Sequence, residues 1–129
     1  MSRYLIGLLT LVAILGSAPD GRAADAVPRP SATEVRREYD AGVLFVDVRS
    51  DAEWSAGHLR SARHLPVDAV AKTAETVLPD KDKPLITYCQ AGGRAQTAAE
   101  SLRALGYTNV TAMKGGFDDL KAAGFPVEK

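Results

Sequence analysis

The sequence predicts an α/β domain, a mostly parallel central sheet with helices on both faces. Three observations lead there. Val43-Leu44-Phe45-Val46-Asp47-Val48 and Leu85-Ile86-Thr87-Tyr88-Cys89 are nearly unbroken apolar, β-branched runs, the pattern of strands buried on both sides. Segments with apolar residues at helical spacing lie between and after them, and such alternation favours parallel pairing. At 129 residues, with 46% hydrophobic and 25% charged residues, the chain holds enough for one globular domain.

Taken in order, the first element is not part of that domain. Arg3 precedes an uncharged apolar stretch beginning Tyr4-Leu5-Ile6-Gly7-Leu8-Leu9, and small residues follow it. This is the layout of a secretory signal peptide over residues 1–23, with cleavage expected after Ala23 or Ala26. The run falls short of the roughly 18 apolar residues that a bilayer span takes, so no stable membrane anchor is expected. No cysteine lies near the cleavage sites and no Arg-Arg pair precedes the run, which favours the general secretion route and a periplasmic, unlipidated product.

Val27-Pro28-Arg29-Pro30 reads as an extended leader, because proline lacks an amide donor and restricts the residue before it. The domain is expected over residues 31–127. Ser31-Ala32-Thr33-Glu34 has the capping-box spacing and opens a short helix to about Asp40, stopped by Gly42. After the first strand, Asp51-Ala52-Glu53-Trp54 is one helical turn closed by Gly57. His64-Leu65-Pro66 is a brief extended segment, residues 67–77 a helix, and the proline-bounded stretch 78–84 a loop. The second strand follows, then a loop, a helix over 95–105 stopped by Gly106, a third strand over 109–113, and a last helix over 117–123.

Charge and cysteine count narrow the function. The chain carries 16 basic and 16 acidic residues, which argues against a nucleic-acid partner, since phosphate contacts need clustered Lys and Arg. One cysteine and two histidines allow no intrachain disulfide and no four-ligand Cys/His zinc site. In an oxidising compartment structural cysteines come in pairs. Cys89 is therefore either an inert buried thiol or an exposed one kept for its chemistry.

Its surroundings favour chemistry. Cys89 ends a strand, and Gln90-Ala91-Gly92-Gly93-Arg94 feeds into the N-terminus of a helix. That terminus leaves amide N–H groups without intrahelical partners and adds the positive end of the helix dipole. Gly92 and Gly93 allow successive N–H groups to turn inward as an anion nest, and Arg94 adds a permanent cation at the rim. Such a cradle favours the thiolate, which is the nucleophilic form, and can hold an anionic substrate against the sulfur. In α/β sheets, sites lie beyond the carboxyl ends of the strands, where Cys89 stands.

Cys89-Gln90-Ala91-Gly92-Gly93-Arg94 resembles the C-x-x-G-x-R loop of rhodanese domains. Asp47-Val48-Arg49 resembles their D-V-R, Glu53 with Gly57-His58-Leu59-Arg60-Ser61-Ala62 their E-x(3)-G-H-I-x-G-A, and Gly115-Gly116-Phe117 their G-G-[WFY]. As an exported single domain the chain looks most like the periplasmic phage-shock-protein-E type. The resemblance implies a thiosulfate sulfurtransferase, working without cofactor or metal. Thiosulfate is the expected donor and a thiophile such as cyanide the acceptor, with a sulfur-accepting protein as a further partner class. Cys89 would be the nucleophile and persulfide carrier, and Gln90, Ala91, Gly92, Gly93 and Arg94 would bind substrate.

Two departures from the family pattern stand out: Gln90 replaces a basic residue frequent after the cysteine, and Ala95 replaces a Ser or Thr that could cap the following helix. Asp47 and Arg49 read as a structural pair at a strand end, His58 and His64 as hydrogen-bonded packing residues, and Trp54 and Phe117 as core or rim hydrophobes. Asp118 and Asp119 suit a helix N-terminus. A competing enzyme class is the cysteine phosphatase or arsenate reductase with its C-x(5)-R loop. Only four residues separate Cys89 from Arg94, and the tighter loop disfavours a tetrahedral phosphoryl group. A non-enzymatic sulfur carrier is the other alternative.

Overall fold

The computed structural model describes residues 26–129, so the expected signal peptide over 1–23 lies outside the described residues. Its elements are α1 (Arg36–Asp40), β1 (Leu44–Asp47), α2 (Asp51–Ala56), β2 (His58–Leu59), β3 (Arg63–His64), a 3-10 turn (Val67–Ala69), α3 (Val70–Val77), β4 (Leu85–Tyr88), α4 (Gly93–Ala104), β5 (Val110–Ala112), α5 (Phe117–Ala122) and β6 (Val127–Glu128). No helix among the described residues is long and apolar enough to cross a membrane.

Most predicted elements form, with shifted ends. The box at Ser31 and Glu34 closes as expected, the Glu34 carboxylate accepting from the Ser31 amide at 2.9 Å. It caps a turn, however, and regular helix begins only at Arg36. A second box, at Ser50 and Glu53, starts α2. The helix predicted from Ala95 begins two residues earlier, at Gly93, because the first turn needs no apolar residue to form. The brief segment predicted at 64–66 pairs one residue earlier, as Arg63–His64.

The main sheet runs β3-β1-β4-β5, and every neighbouring pair in it is parallel. Register aligns Asp47 with both His64 and Tyr88, so the carboxyl ends of β3, β1 and β4 finish together. Side chains alternate across the sheet as strand geometry demands. On β1 and β4, Val46 and Leu85 join one buried cluster with Val70, Ala74, Ala98 and Leu102 of α3 and α4. Phe45, Ile86 and Tyr88 point the other way, into a cluster with Val35, Met113, Phe117 and Leu120. Helices thus cover both faces, as predicted. Burying such side chains contributes roughly 1.5–3 kcal/mol each.

Two features lie beyond the predicted pattern. Residues His58–Leu59 and Val127–Glu128 pair as a short antiparallel ribbon, and the leader docks along β5. Val27 is buried in the α3/α4 cluster. The Pro28 and Pro30 carbonyls accept from the amides of Ala112 and Lys114 at 3.1 and 2.7 Å. Proline at 28 and 30 leaves those two residues unable to donate further outward.

Candidate active site

Strand parity decides where Cys89 faces. Leu85, Thr87 and Cys89 alternate with Ile86 and Tyr88, and the Thr87 hydroxyl donates to the Ala95 carbonyl at 2.8 Å. Cys89 therefore lies on the α4 side, directly below that helix's first turn. Its Sγ accepts from the Gly92 amide at 2.9 Å and from the Ala95 amide at 3.4 Å. The shorter contact is as close as an ordinary N–H···O bond, although sulfur is the larger acceptor. The residue is 1% exposed. The alternatives of an inert buried thiol and an exposed reactive one thus give way to a third arrangement, a buried sulfur at the floor of a polar loop.

The loop builds this geometry from glycine. Gly92 has φ 113°, a left-handed angle that side-chained residues avoid, and it turns its N–H down to the sulfur. Residue 95 is the third residue of α4, behind the cap position at Gly92, so the hydroxyl expected there would not have capped the helix; the Ala95 amide is taken by the Sγ. From below, the Gly115-Gly116 turn presses against the loop's start: the Phe117 amide donates to the Cys89 carbonyl at 2.8 Å. A Cβ at Gly116 would collide with the carbonyl oxygens of Cys89 and Gln90, so glycine is required there for space.

The predicted site residues do not all act on the sulfur. Gly92 touches it; Ala91 and Gly93 are exposed on the rim, and Gln90 is half-buried. The Gln90 side chain turns back to accept from Arg49 Nη1 at 3.2 Å. Arg94 does not stand as a free rim cation: its guanidinium forks onto Glu53, at 2.7 and 3.1 Å. Glu53 sits on α2 under the Ser50 cap, and α2 follows β1, the neighbour of β4 in the sheet. Two motif segments are thereby joined across the mouth of the loop.

That pair has a pH signature. The Arg94 guanidinium, opposed by partial burial and helped by Ser50, holds the Glu53 carboxyl down at about 2. The folded value lies below the unfolded one, so the unfolded chain binds the extra proton as pH falls. The stabilisation is complete above about pH 4.5 and fades toward pH 2. Glu53→Gln keeps the capping box, since Gln serves at that position, and removes the charge. The urea midpoints of wild type and Glu53→Gln are expected to differ at pH 7, to draw together below about pH 4.5 and to meet only near pH 2. A gap unchanged over that range would contradict the assignment.

Asp47 and Arg49 form the structural pair expected of them. Asp47 is fully buried, Arg49 is 3% exposed, and Arg49 Nη2 meets Asp47 Oδ2 at 2.8 Å. Arg49 also donates to the Gly57 carbonyl at 2.7 Å and covers the Phe117 ring at 4.3 Å. Burial first, and the Asp47 charge second, push the Tyr88 phenol far up; it stays neutral and accepts from the Leu59 amide at 3.0 Å. His58 and His64 pack on either side of Trp54, with ring centroids 3.5 and 4.7 Å away. Each bonds a backbone carbonyl, of Trp54 and Arg49 respectively, which is the packing role predicted for them. Asp119 accepts from the Gly116 amide at 2.8 Å, as its place at a helix start implied.

Sequence reasoning missed Arg29 and gave Glu53 no task. Arg29 leaves the leader and reaches behind the loop, donating to the carbonyls of Gly92 (3.0 Å), Met113 (3.2 Å) and Ala112 (3.2 Å) and to Gln96 Oε1 (2.6 Å). Its partners lie 63 to 84 positions away, so no local signal marks it. For Glu53 the signal was its place in a motif, opposite in charge to Arg94 in another.

A parallel sheet whose second central strand ends on a cysteine, under an amide-lined loop and a helix start, defines a class of thiol-centred α/β domains. Comparison with known proteins narrows it. The family model described as Rhodanese-like domain matches residues 31–123. Thiosulfate sulfurtransferase GlpE of Pseudomonas putida is 34% identical over 102 residues, covering 79% of this chain and 88% of that protein. Among solved structures, a Rhodanese-like domain from Anabaena sp. superposes with a TM-score of 0.69 at 27% identity, over 78% of each chain. A rhodanese with anions from E. coli gives 0.58 at 32% identity, over 66% of this chain and 95% of that one. The chain belongs to the rhodanese family. Family and relatives together support sulfurtransferase activity in general.

Proposed function

We propose that the protein is a thiosulfate sulfurtransferase that carries sulfane sulfur on Cys89. The observation that carries the proposal is the pair of backbone amides on Cys89 Sγ. The fixed N–H dipoles face the sulfur and are placed to stabilise the charge that passes across it during transfer. In the first step the Cys89 thiolate attacks the outer sulfur of thiosulfate. The sulfur–sulfur bond of the donor breaks, its electron pair leaves with sulfite, and an anionic Cys89 persulfide remains. In the second, cyanide carbon attacks the terminal sulfur of that persulfide, thiocyanate departs, and the thiolate returns. Both steps keep one negative charge in the cradle, so the same amides serve throughout.

The loop amides over residues 90–94 dock the donor's sulfonate in this account. Arg94 contributes a charge tempered by Glu53, and Gln90 contributes none. The protein would act in the periplasm after loss of residues 1–23 or 1–26, and either cleavage retains the docked segment 27–30. A sulfur-accepting protein is the further partner class.

Thiocyanate release from thiosulfate and cyanide, with no phosphate released from an aryl phosphate, is the expected outcome with the purified mature protein. A persulfide that forms but never turns over would make the protein a carrier. Phosphate release would return the site to the phosphatase class.

A further inference from the structure

We infer that Arg29, on the leader segment ahead of the domain, is a positioning residue that sets the amides of the sulfur cradle; the inference deepens the sulfurtransferase proposal and rests on it. The cradle depends on one residue with an uncommon backbone angle, Gly92 at φ 113°. The Gly92 N–H reaches Cys89 Sγ at 2.9 Å, while its carbonyl turns away and accepts from Arg29 Nη2 at 3.0 Å and from the Gln96 amide at 3.1 Å. Arg29 and the sulfur thus grip the two ends of the same residue. A trans peptide holds its C=O and N–H antiparallel. Fixing the Gly92 carbonyl toward Arg29 therefore presents the Gly93 N–H to the opposite side, where it is one of the donors that a helix start leaves unpaired.

The guanidinium is itself fixed. Nε and Nη2 donate to the Ala112 and Met113 carbonyls at the end of β5, and Nη1 donates to Gln96 Oε1. On either side of Arg29, Val27 is sunk in the core and the Pro28 and Pro30 carbonyls accept from Ala112 of β5 and from Lys114, two residues beyond the strand. The side chain spans from a rigid strand end to the loop and does not touch the sulfur. Only a planar fork with several donors can satisfy this set at once. A lysine reaches one or two of the carbonyls.

The test compares wild type, Arg29→Met, Arg29→Lys and, as a control, Arg36→Met on α1. Two rates are read: alkylation of the single cysteine by iodoacetamide at neutral pH, and single-turnover sulfur uptake from thiosulfate. Thermal midpoints are recorded alongside. Deleting a direct donor to a reacting anion costs roughly 10²–10³ in rate. Arg29 acts through a donor, so Arg29→Met is expected to slow both rates about tenfold, with Arg29→Lys recovering part and Arg36→Met matching wild type.

A residue that merely staples the fold would behave oppositely. Its loss would loosen the cover over a sulfur that is 1% exposed and speed alkylation. Unchanged or faster alkylation in Arg29→Met overturns the inference. If wild type itself takes up no sulfur, the sulfurtransferase reading fails, and the alkylation comparison still decides whether Arg29 sets the cradle.

Discussion

Cys89→Ser is expected to abolish sulfur uptake and thiocyanate formation while leaving the fold intact. The serine hydroxyl is close in size to the thiol and can accept the Gly92 and Ala95 amides that now point at Sγ, so the buried donors keep a partner. What is lost is chemistry. A hydroxyl is a weak nucleophile unless a base activates it, whereas a thiol supplies thiolate near neutrality. The described structure puts no side-chain base on the sulfur; its partners are backbone N–H groups. Nor can a serine oxygen take the place of sulfur in a persulfide. Loss of at least about a thousandfold in rate is expected, with a thermal midpoint close to that of wild type. Residual turnover within tenfold of wild type would remove Cys89 from the reaction.

Asp47→Ala is expected to cost the most stability of any single change near the site. The carboxylate is fully buried and takes three contacts from the Arg49 guanidinium, at 2.8 to 3.1 Å, and one from the Arg49 amide at 2.9 Å. Removing one partner of a buried ion pair leaves the other charge uncompensated, a loss of about 3–5 kcal/mol. Against a total stability of about 5–15 kcal/mol for a domain, that is a large fraction. Arg49 retains only the Gly57 carbonyl and Gln90 Oε1 as acceptors, and neither is charged. Replacing both, as Asp47→Val with Arg49→Met, is expected to recover much of the loss, because apolar groups of similar volume need no pairing. Urea unfolding of wild type and the two variants measures this. A single and a double variant equally unstable would show that the pair contributes through shape rather than charge.

The apolar strands and the loop between Cys89 and Arg94 were legible because their signals are local. A β-branched run, a glycine stop and a strand–loop–helix order each occupy a few adjacent residues. The same locality explains why His58–Leu59 and Val127–Glu128 went unread as strands, since two residues show no periodicity. The pairings that finish the site are long-range. Glu53 meets Arg94 across 41 positions, and Arg29 meets Gly92 across 63. Both depend on the strand order β3-β1-β4-β5, which no hydrophobic pattern spells out. The half-buried environment of Arg94 followed the same logic: its charge was plain in the sequence, but the neighbour that tempers it was not. Burial of Cys89 was open for a related reason, as a strand-end thiol can face solvent or the next helix, and only the packing of α4 decides.

The central claim is that a sulfur held by backbone amides attacks and keeps a sulfane sulfur. Intact-mass measurement on the thiosulfate-treated mature protein tests this most directly. The expected result is a gain of one sulfur atom, absent in Cys89→Ser and reversed by cyanide. A mass unchanged by thiosulfate, in protein whose Cys89 is shown by alkylation to be reduced, would contradict it.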